Sequence, residues 1–455
     1  MRRTRSALRG VGAIVAGGAL VFSTLSSAAG AAPASDSFYT YSGSTPLADL
    51  TPGTVLKTRT LPYHLLGIPV PLKVVQLLYR GTTQVGTASA NTTSIIEPPV
   101  QLGPAKQVVA YQSFYDSLNP ADSPSRTIAG DLSLGGLIPD VETALLVPEL
   151  LQGRPVVVAD TEGPDADFAS GPEYGRYTLD SLRAALHSPA AGLSPSVMIA
   201  MFGYSGGAIA TEWAAELAPT YAPDVNRHLV GASAGGVLAD PDHNLHYVDD
   251  APLWSAVLPM AIIGLARAFH VDLTPYLSDF GRSVLPEVQN DSIVQAFAQV
   301  VAKYGPLSWA KLASPQYATP ESVPALVRIA NQLIMGTGGT PTIPLLIGQG
   351  ANGILEGTQP SPTYGPGDAV MVAGDVRTLA RDYCDRGVPV QYQQYDATSH
   401  VTSAALWIPA TLAWLNGRFD GGSAPSSCGH ITPGNPLTPV PSARGARPAP
   451  PRGRR

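Results

Sequence analysis

At 455 residues the chain exceeds one average domain, and 44 % hydrophobic against 14 % charged residues indicates a packed core rather than a disordered chain. The formal net charge of -6 leaves no basic footprint, which argues against nucleic acid as a partner. Glycine and proline, at 46 and 44 residues, announce long shaped loops.

Residues 1–32 read as an export signal peptide. Arg2, Arg3, Arg5 and Arg9 form the basic start, Val11 to Phe22 the apolar middle, and Ala29-Gly30-Ala31 a small-residue cleavage site. That apolar run is too short to span a bilayer, and no later stretch reaches the length of a transmembrane segment. Ser35 to Thr60 is polar and turn-rich, as expected of a surface arm. Lys73 to Arg80 and Thr92 to Pro98 predict strands of an antiparallel meander, with Lys106 to Gln112 as the next strand. Ser113 to Pro120 reads as a loop, Pro155 to Asp160 as a buried strand, and Arg176 to Leu186 as an amphipathic helix.

The stretch from Val197 to Ala215 organises the rest. A short apolar run, Val197 to Phe202, leads into Gly203-Tyr204-Ser205-Gly206-Gly207, and helix-spaced small and apolar residues follow. Strand, G-x-S-x-G and helix in that order is the context of a nucleophile elbow. The turn is too tight for side chains two positions either side of the serine, so Gly203 and Gly207 carry none. Ser205 is thereby exposed at the tip, and the amides after it face any developing negative charge. A Gly-rich strand–helix turn without chemistry is the competing interpretation.

Arg227 to Ala232 predicts another short strand. Alternating strands and helices argue for a mostly parallel sheet flanked by helices, the ground plan of an α/β-hydrolase fold. Its core comes in two parts, 33–234 and 341–430, separated by a helical cap insertion over 235–340. Within the insertion Leu253 to Phe269, Asp291 to Tyr304 and Glu321 to Met335 read as helices. The sheet resumes at Ile343 to Ile347, a Gly/Pro-rich loop covers Gly348 to Gly367, and a helix follows from about Val372 to Arg386. Val388 to Tyr395 is the last strand, Ser399-His400 lies on the loop after it, and Ala404 to Phe419 is the final helix. Residues 431–455 have the composition of a disordered Pro/Arg-rich tail. The two cysteines, Cys384 and Cys428, predict a disulfide in an exported chain, two free thiols being the alternative. They offer no metal-ligand spacing.

A serine nucleophile needs a base and an acid. Of the eight histidines, only His400 sits on the loop after the last strand, where the order Ser…Asp/Glu…His puts the base, His430 falling near the tail. The acid belongs after the preceding strand, where Asp368 is the choice and Asp375, Glu356 and Asp396 compete. The oxyanion donors are expected to be backbone N–H groups of Gly206 and of Asp116, although Asp116-Ser117 also suits an ordinary Asx turn.

These residues resemble the secretory lipase family of fungi and actinobacteria, the α/β-hydrolases of lipase A type. The resemblance rests on AYQSFYDSLNP, ADTEGPDADF, GYSGGAIATEWAAELAP, a helical insertion and the closing pattern from Asp368 through Cys384 to Ser399-His400. It implies Ser205 as nucleophile, His400 as base, Asp368 (16 residues before Cys384) as acid, a donor amide at Asp116 and a Cys384–Cys428 pair. The Gly348–Gly367 stretch departs from the family, in which the aspartate often stands near the position of Asn352. The implied activity is hydrolysis of acyl esters, triacylglycerols among them, by an exported serine hydrolase that requires no metal or organic cofactor. Lipid or small esters are the expected partners, with transient contact to a lipid interface, and Leu253–Phe269 could line an acyl pocket. Acyl transfer by the same residues, or a silent hydrolase fold used for binding, are the alternatives.

Overall fold

The computed structural model of the chain describes residues 36–441, so the predicted signal peptide and residues 442–455 lie outside the described residues. Nine strands form one sheet in the order β1-β2-β3-β5-β4-β6-β7-β8-β9. They are β1 (Val55–Leu65), β2 (Ile68–Thr82), β3 (Ala88–Ile96), β4 (Ala105–Gln112), β5 (Val156–Ala159), β6 (Leu193–Tyr204), β7 (Leu229–Gly235), β8 (Leu345–Gly350) and β9 (Val390–Tyr395). From β5 onward in that order every neighbouring pair is parallel, whereas β1–β2, β2–β3 and β3–β5 are antiparallel. The helices are α1 (Pro124–Ala129), α2 (Leu137–Leu151), α3 (Gly171–His187), α4 (Gly206–Tyr221), α5 (Pro223–Asn226), α6 (Pro241–Val248), α7 (Val257–Ala268), α8 (Asp279–Val288), α9 (Ile293–Tyr304), α10 (Trp309–Leu312), α11 (Pro324–Leu333), α12 (Ala373–Asp385) and α13 (His400–Phe419).

Both faces of the sheet are covered, as near-continuous apolar strands such as Val156–Ala159 require. On one face Leu179 and Leu182 of α3, Ile209 and Trp213 of α4, and Leu379 and Tyr383 of α12 pack against the sheet. On the other, Leu146 and Leu150 of α2 meet Trp407, Trp414 and Leu415 of α13. Between β7 and β8 the chain builds the helical layer α6–α11 with its own core, which includes Leu258, Met260, Val284, Val300 and Leu312.

Four features depart from the expectations above. The stretch read as a surface arm ends early, because β1 begins at Val55; its alternation is hidden by Thr58, Arg59 and Thr60 on a half-exposed edge strand. The strand Ala105–Gln112 is not a further rung of the meander: it joins the parallel block between β5 and β6. Helix α2 has no counterpart among the predicted elements. Its Asp140, Glu142 and Glu149 are buried beside Leu146 and Leu150 while Val141, Val147 and Leu151 are exposed, so no clean apolar stripe marks it. Finally, residues 431–441 of the expected tail lie against the core: the Asn435 amide donates to Asp375 Oδ1 at 2.8 Å, and the Val440 N–H donates to Asn331 Oδ1 at 2.7 Å. The Cys384–Cys428 disulfide joins the end of α12 to the stretch just before this segment. No helix among the described residues is long and apolar enough to cross a membrane.

Candidate active site

Strand β6 delivers Ser205 to the parallel edge where α4 begins. Ser205 holds φ 53° and ψ -120°, a conformation that costs a non-glycine residue roughly 1–3 kcal/mol. The neighbours make room for it. A Cβ on Gly203 would stand 2.2 Å from Gly207 O, and one on Gly207 would stand 2.0 Å from Gln112 O. The Ser205 carbonyl accepts from Ala208 and Ile209 N–H at 2.9 and 3.2 Å, so the helix starts on the serine itself.

His400 meets this serine from the far end of the sheet. It is the first residue of α13, one past the N-cap Ser399, rather than a loop residue as expected. Its Nε2 lies 2.8 Å from Ser205 Oγ and its Nδ1 lies 2.8 Å from Asp368 Oδ2. The ring is further held by Tyr204, whose hydroxyl donates to the His400 carbonyl at 2.6 Å. Burial opposes an imidazolium here, yet the charge and hydrogen bond of Asp368, helped by Glu356 and Asp116, outweigh it and hold the His400 pKa above its ordinary value.

Asp368 is fully buried, and each of its oxygens is occupied. Oδ1 accepts the Val370 and Met371 amides at 3.0 and 2.8 Å; Oδ2 accepts Gln349 Nε2 at 2.9 Å besides facing His400. Gln349 is itself fixed by the Val237 N–H at 3.0 Å. The long loop before Asp368 is a closed excursion. The Gly353 N–H donates to the Gly367 carbonyl at 2.8 Å, which brings Asp368 back beside the end of β8 where a shorter loop would leave Asn352.

The competing acids lie elsewhere. Asp375 accepts from Asn435 and stands 3.1 Å from His243 Nδ1. Asp396 accepts the Gln394 amide at 2.5 Å. Glu356 accepts the Trp254 indole N–H and the Val401 N–H, both at 2.8 Å. Trp254 stands edge-on to His400 with ring centroids 5.2 Å apart. Neither Trp254 nor Gln349 was singled out from the sequence, since nothing local marks a residue that acts by touching another.

Asp116 and Gly206 flank Ser205. Asp116 takes a left-handed φ of 38°, and its carboxyl lies against the Gly206 Cα, where a Cβ would be 1.9 Å from Oδ1. The Gly206 amide heads α4, where helix N–H groups have no intrahelical acceptor. Glu142 of α2 braces the Asp116 loop from behind, accepting Ser113 Oγ at 2.5 Å and the Phe114 N–H at 2.8 Å. Burial pushes the Asp116 pKa up to about 7 in spite of the His400 charge, and Glu142 adds to the rise.

Ser205, Gly206 and Asp116 open onto a cavity. Apart from Asn244 and these residues its walls are apolar, with Phe168, Trp254, Ile262, Leu326, Ala330 and Leu333 among them. The α6 to α11 insertion supplies most of that wall. Such a site can present a nucleophile, a proton carrier and polarised amides at the head of a greasy channel.

The sequence profile of a family described as secretory lipase matches residues 130–427. Lipase 2 of Candida albicans is 30 % identical over 393 residues, covering 84 % of this chain and 80 % of that one. A protein named probable inactive lipase from Mycobacterium tuberculosis is 30 % identical over 381 residues, covering 81 % and 79 %. Among solved structures, Candida antarctica lipase A in its closed state has a TM-score of 0.74 at 24 % identity, over 90 % of this chain and 91 % of that one. The rice cell wall degrading esterase LipA of Xanthomonas oryzae gives 0.60 at 14 % identity, over 82 % and 100 %. These likenesses identify the sheet and its helices as an α/β-hydrolase fold.

Proposed function

The chain belongs to the secretory lipase family, and from that premise we propose that it is an exported serine carboxylic-ester hydrolase acting on acyl esters of lipid type. The observation that carries this reading is the unbroken hydrogen-bonded series Ser205 Oγ, His400, Asp368 at the head of an apolar cavity. Ser205 attacks the ester carbonyl while His400 Nε2 takes its proton, and Asp368 stabilises the imidazolium that forms. The oxyanion rests against the Gly206 and Asp116 N–H groups. His400 then protonates the departing alcohol, and the acyl group stays on Ser205. A water that gives its proton to His400 attacks the acyl-enzyme, releasing the acid and restoring the hydroxyl.

The acyl chain is drawn into the cavity by burial of its methylenes, each worth about 0.8 kcal/mol. A panel of p-nitrophenyl esters from short to long acyl chains tests the reading, with turnover expected and long chains favoured. A second reading, a silent hydrolase fold, is favoured by the Mycobacterium tuberculosis relative named as probably inactive. Absence of turnover together with failure of a fluorophosphonate probe to label Ser205 supports that reading instead.

A further inference from the structure

Outside the site just described, one cluster of ligand-type side chains stands out in the helical insertion. Asp242 and His246 are four residues apart on α6 and so share one face of that helix. Glu321 joins them from the 3-10 turn Pro320–Ser322 that leads into α11. One donor atom from each of the three lies within 4.8 Å of the other two, with His246 Nε2 2.6 Å from Glu321 Oε1.

Asp242 is the telling member. The residue is only 7 % exposed, no protein group among the described residues donates to its carboxylate, and its oxygens keep some contact with solvent. An ordinary buried aspartate is satisfied by amides or hydroxyls, because an unpaired buried carboxylate is costly. Here the groups that act on it are Glu321, which repels, and His246 and His243, which attract; no lysine or arginine is among them. Two carboxylates and an imidazole thus converge without a fixed cation between them. Behind them His243 is locked by Asp375 at 3.1 Å and by stacking on Tyr364 at 4.0 Å, so the α6 backbone that carries the donors is held still.

We propose that Asp242, His246 and Glu321 form a structural site for a divalent transition-metal ion, Zn²⁺ by its donor chemistry. One imidazole nitrogen and two carboxylate oxygens make a mixed N/O set that suits Zn²⁺ better than the all-oxygen shells of Ca²⁺ or Mg²⁺. Bonds of about 2.0–2.1 Å to a tetrahedral ion need donors about 3.3 Å apart, so binding requires the donors to close from a spacing of up to 4.8 Å. His246 and Glu321 are half-buried, leaving access for a water as fourth ligand.

None of the three lines the cavity, so the ion sits outside the reacting centre. It ties α6 to the turn preceding α11, and both helices form cavity wall: Leu245 and Val248 from one, Leu326 and Ala330 from the other. The metal is therefore a clip on the acyl-binding wall rather than a participant in hydrolysis. This inference stands apart from the proposed reaction, because it needs no turnover to be tested.

The whole protein, stripped with a chelator and dialysed, is titrated with ZnCl₂ by calorimetry, and its melting temperature is followed with and without Zn²⁺. One ion per chain and a rise in Tm are expected, with MgCl₂ giving neither. The paired variant Asp242→Asn, Glu321→Gln is expected to bind Zn²⁺ on the order of 100-fold more weakly and to lose the Zn²⁺-dependent rise. Because that variant also loses the His246–Glu321 pair, its melting temperature with Zn²⁺ is read against its own metal-free value. His246→Gln, a separate variant, gives the same loss of binding. Absence of Zn²⁺ binding in the parent, leaving only the His246–Glu321 ion pair, overturns the proposal, as does undiminished binding in the variants. Failure of the hydrolytic reading shows separately, as absence of fluorophosphonate labelling in a chain that still takes up one Zn²⁺.

Discussion

Glu356 and Trp254 are joined by a 2.8 Å hydrogen bond that links the loop before Asp368 to the helical insertion. The same carboxylate accepts the Val401 N–H at 2.8 Å, next to the histidine over which the Trp254 ring stands. A side chain that competes with Asp368 in the sequence thus serves as a brace in the structure. Hydrogen bonds to a charged group are worth about 1.5–3 kcal/mol. Glu356→Ala is accordingly expected to lower kcat about tenfold, with Ser205 still labelled by a fluorophosphonate. Glu356→Gln, which keeps an acceptor, falls between. Steady-state kinetics decide it, and an unchanged kcat in Glu356→Ala removes the brace from the argument.

Ser205→Ala or His400→Ala should each lower kcat by on the order of 10³-fold or more while circular dichroism stays unchanged. Asp368→Asn keeps the amide contacts on one oxygen but loses the charge facing His400. Its loss is expected to be large too, on the order of 10²–10⁴-fold. Near-normal turnover in either of the first two variants would falsify the proposed chemistry.

In the proposed reaction His400 must be neutral to accept from Ser205, and Asp368 holds its pKa above the ordinary value of 6.5. The acidic limb of kcat/KM therefore lies above pH 6.5. In Asp368→Asn the supporting charge is gone, burial dominates, and the limb of the residual activity moves to lower pH. A pH profile of parent and variant reads this directly; a limb that stays in place points to another titrating group.

Glu212, on α4 two turns past Ser205, is buried with neither carboxylate oxygen hydrogen-bonded. Burial, reinforced by the Glu216 charge, pushes its pKa up to about 8 from 4.5. A pKa raised by folding means that the folded chain binds the extra proton. The associated stability is whole below about pH 4.5 and is lost as pH rises through about 8. Glu212→Gln should match the parent Tm near pH 4.5 and exceed it near pH 9 by about 3 °C or more. Scanning calorimetry at both pH values checks this, and equal Tm at pH 9 contradicts it.

Ala330 of α11 lines the cavity, and a larger side chain there shortens the room for an acyl chain. Ala330→Phe is expected to lower kcat/KM for long-chain esters about tenfold or more, because two lost methylene sites cost about 1.6 kcal/mol. Short-chain esters are expected to be spared. Equal losses across the ester panel place the chain elsewhere.

The parts of this molecule that a reader of the sequence can find are those whose reason is local or ordered along the chain. Gly203 and Gly207 announce the elbow because any side chain there collides with backbone. His400 and Asp368 follow from strand order, and the loop before Asp368 changes nothing because Gly353 and Gly367 close it. The Cys384–Cys428 bond is the one the pattern suggests, and Asp116 lies against Gly206. What stays hidden depends on tertiary contact. Glu356 reads as a spare acid until Trp254 is beside it, β1 carries too many polar residues to show its alternation, and α2 buries its carboxylates. Asp242 and His246 show helical spacing, but Glu321 is 75 residues from His246 and only the fold brings it near.

Strand β9 ends the sheet, and its outer edge does not face solvent alone. The Ser427 N–H donates to the Val390 carbonyl at 2.7 Å, and the Tyr392 N–H donates to Ser427 Oγ at 3.1 Å. Cys428, the next residue, is fastened to Cys384. The cross-link thereby keeps a cover over unpaired strand groups that could otherwise template another chain. Reducing it should lead to self-association through β9 before the sheet itself comes apart, so a reduced sample gains mass in light scattering while its far-ultraviolet spectrum is still native.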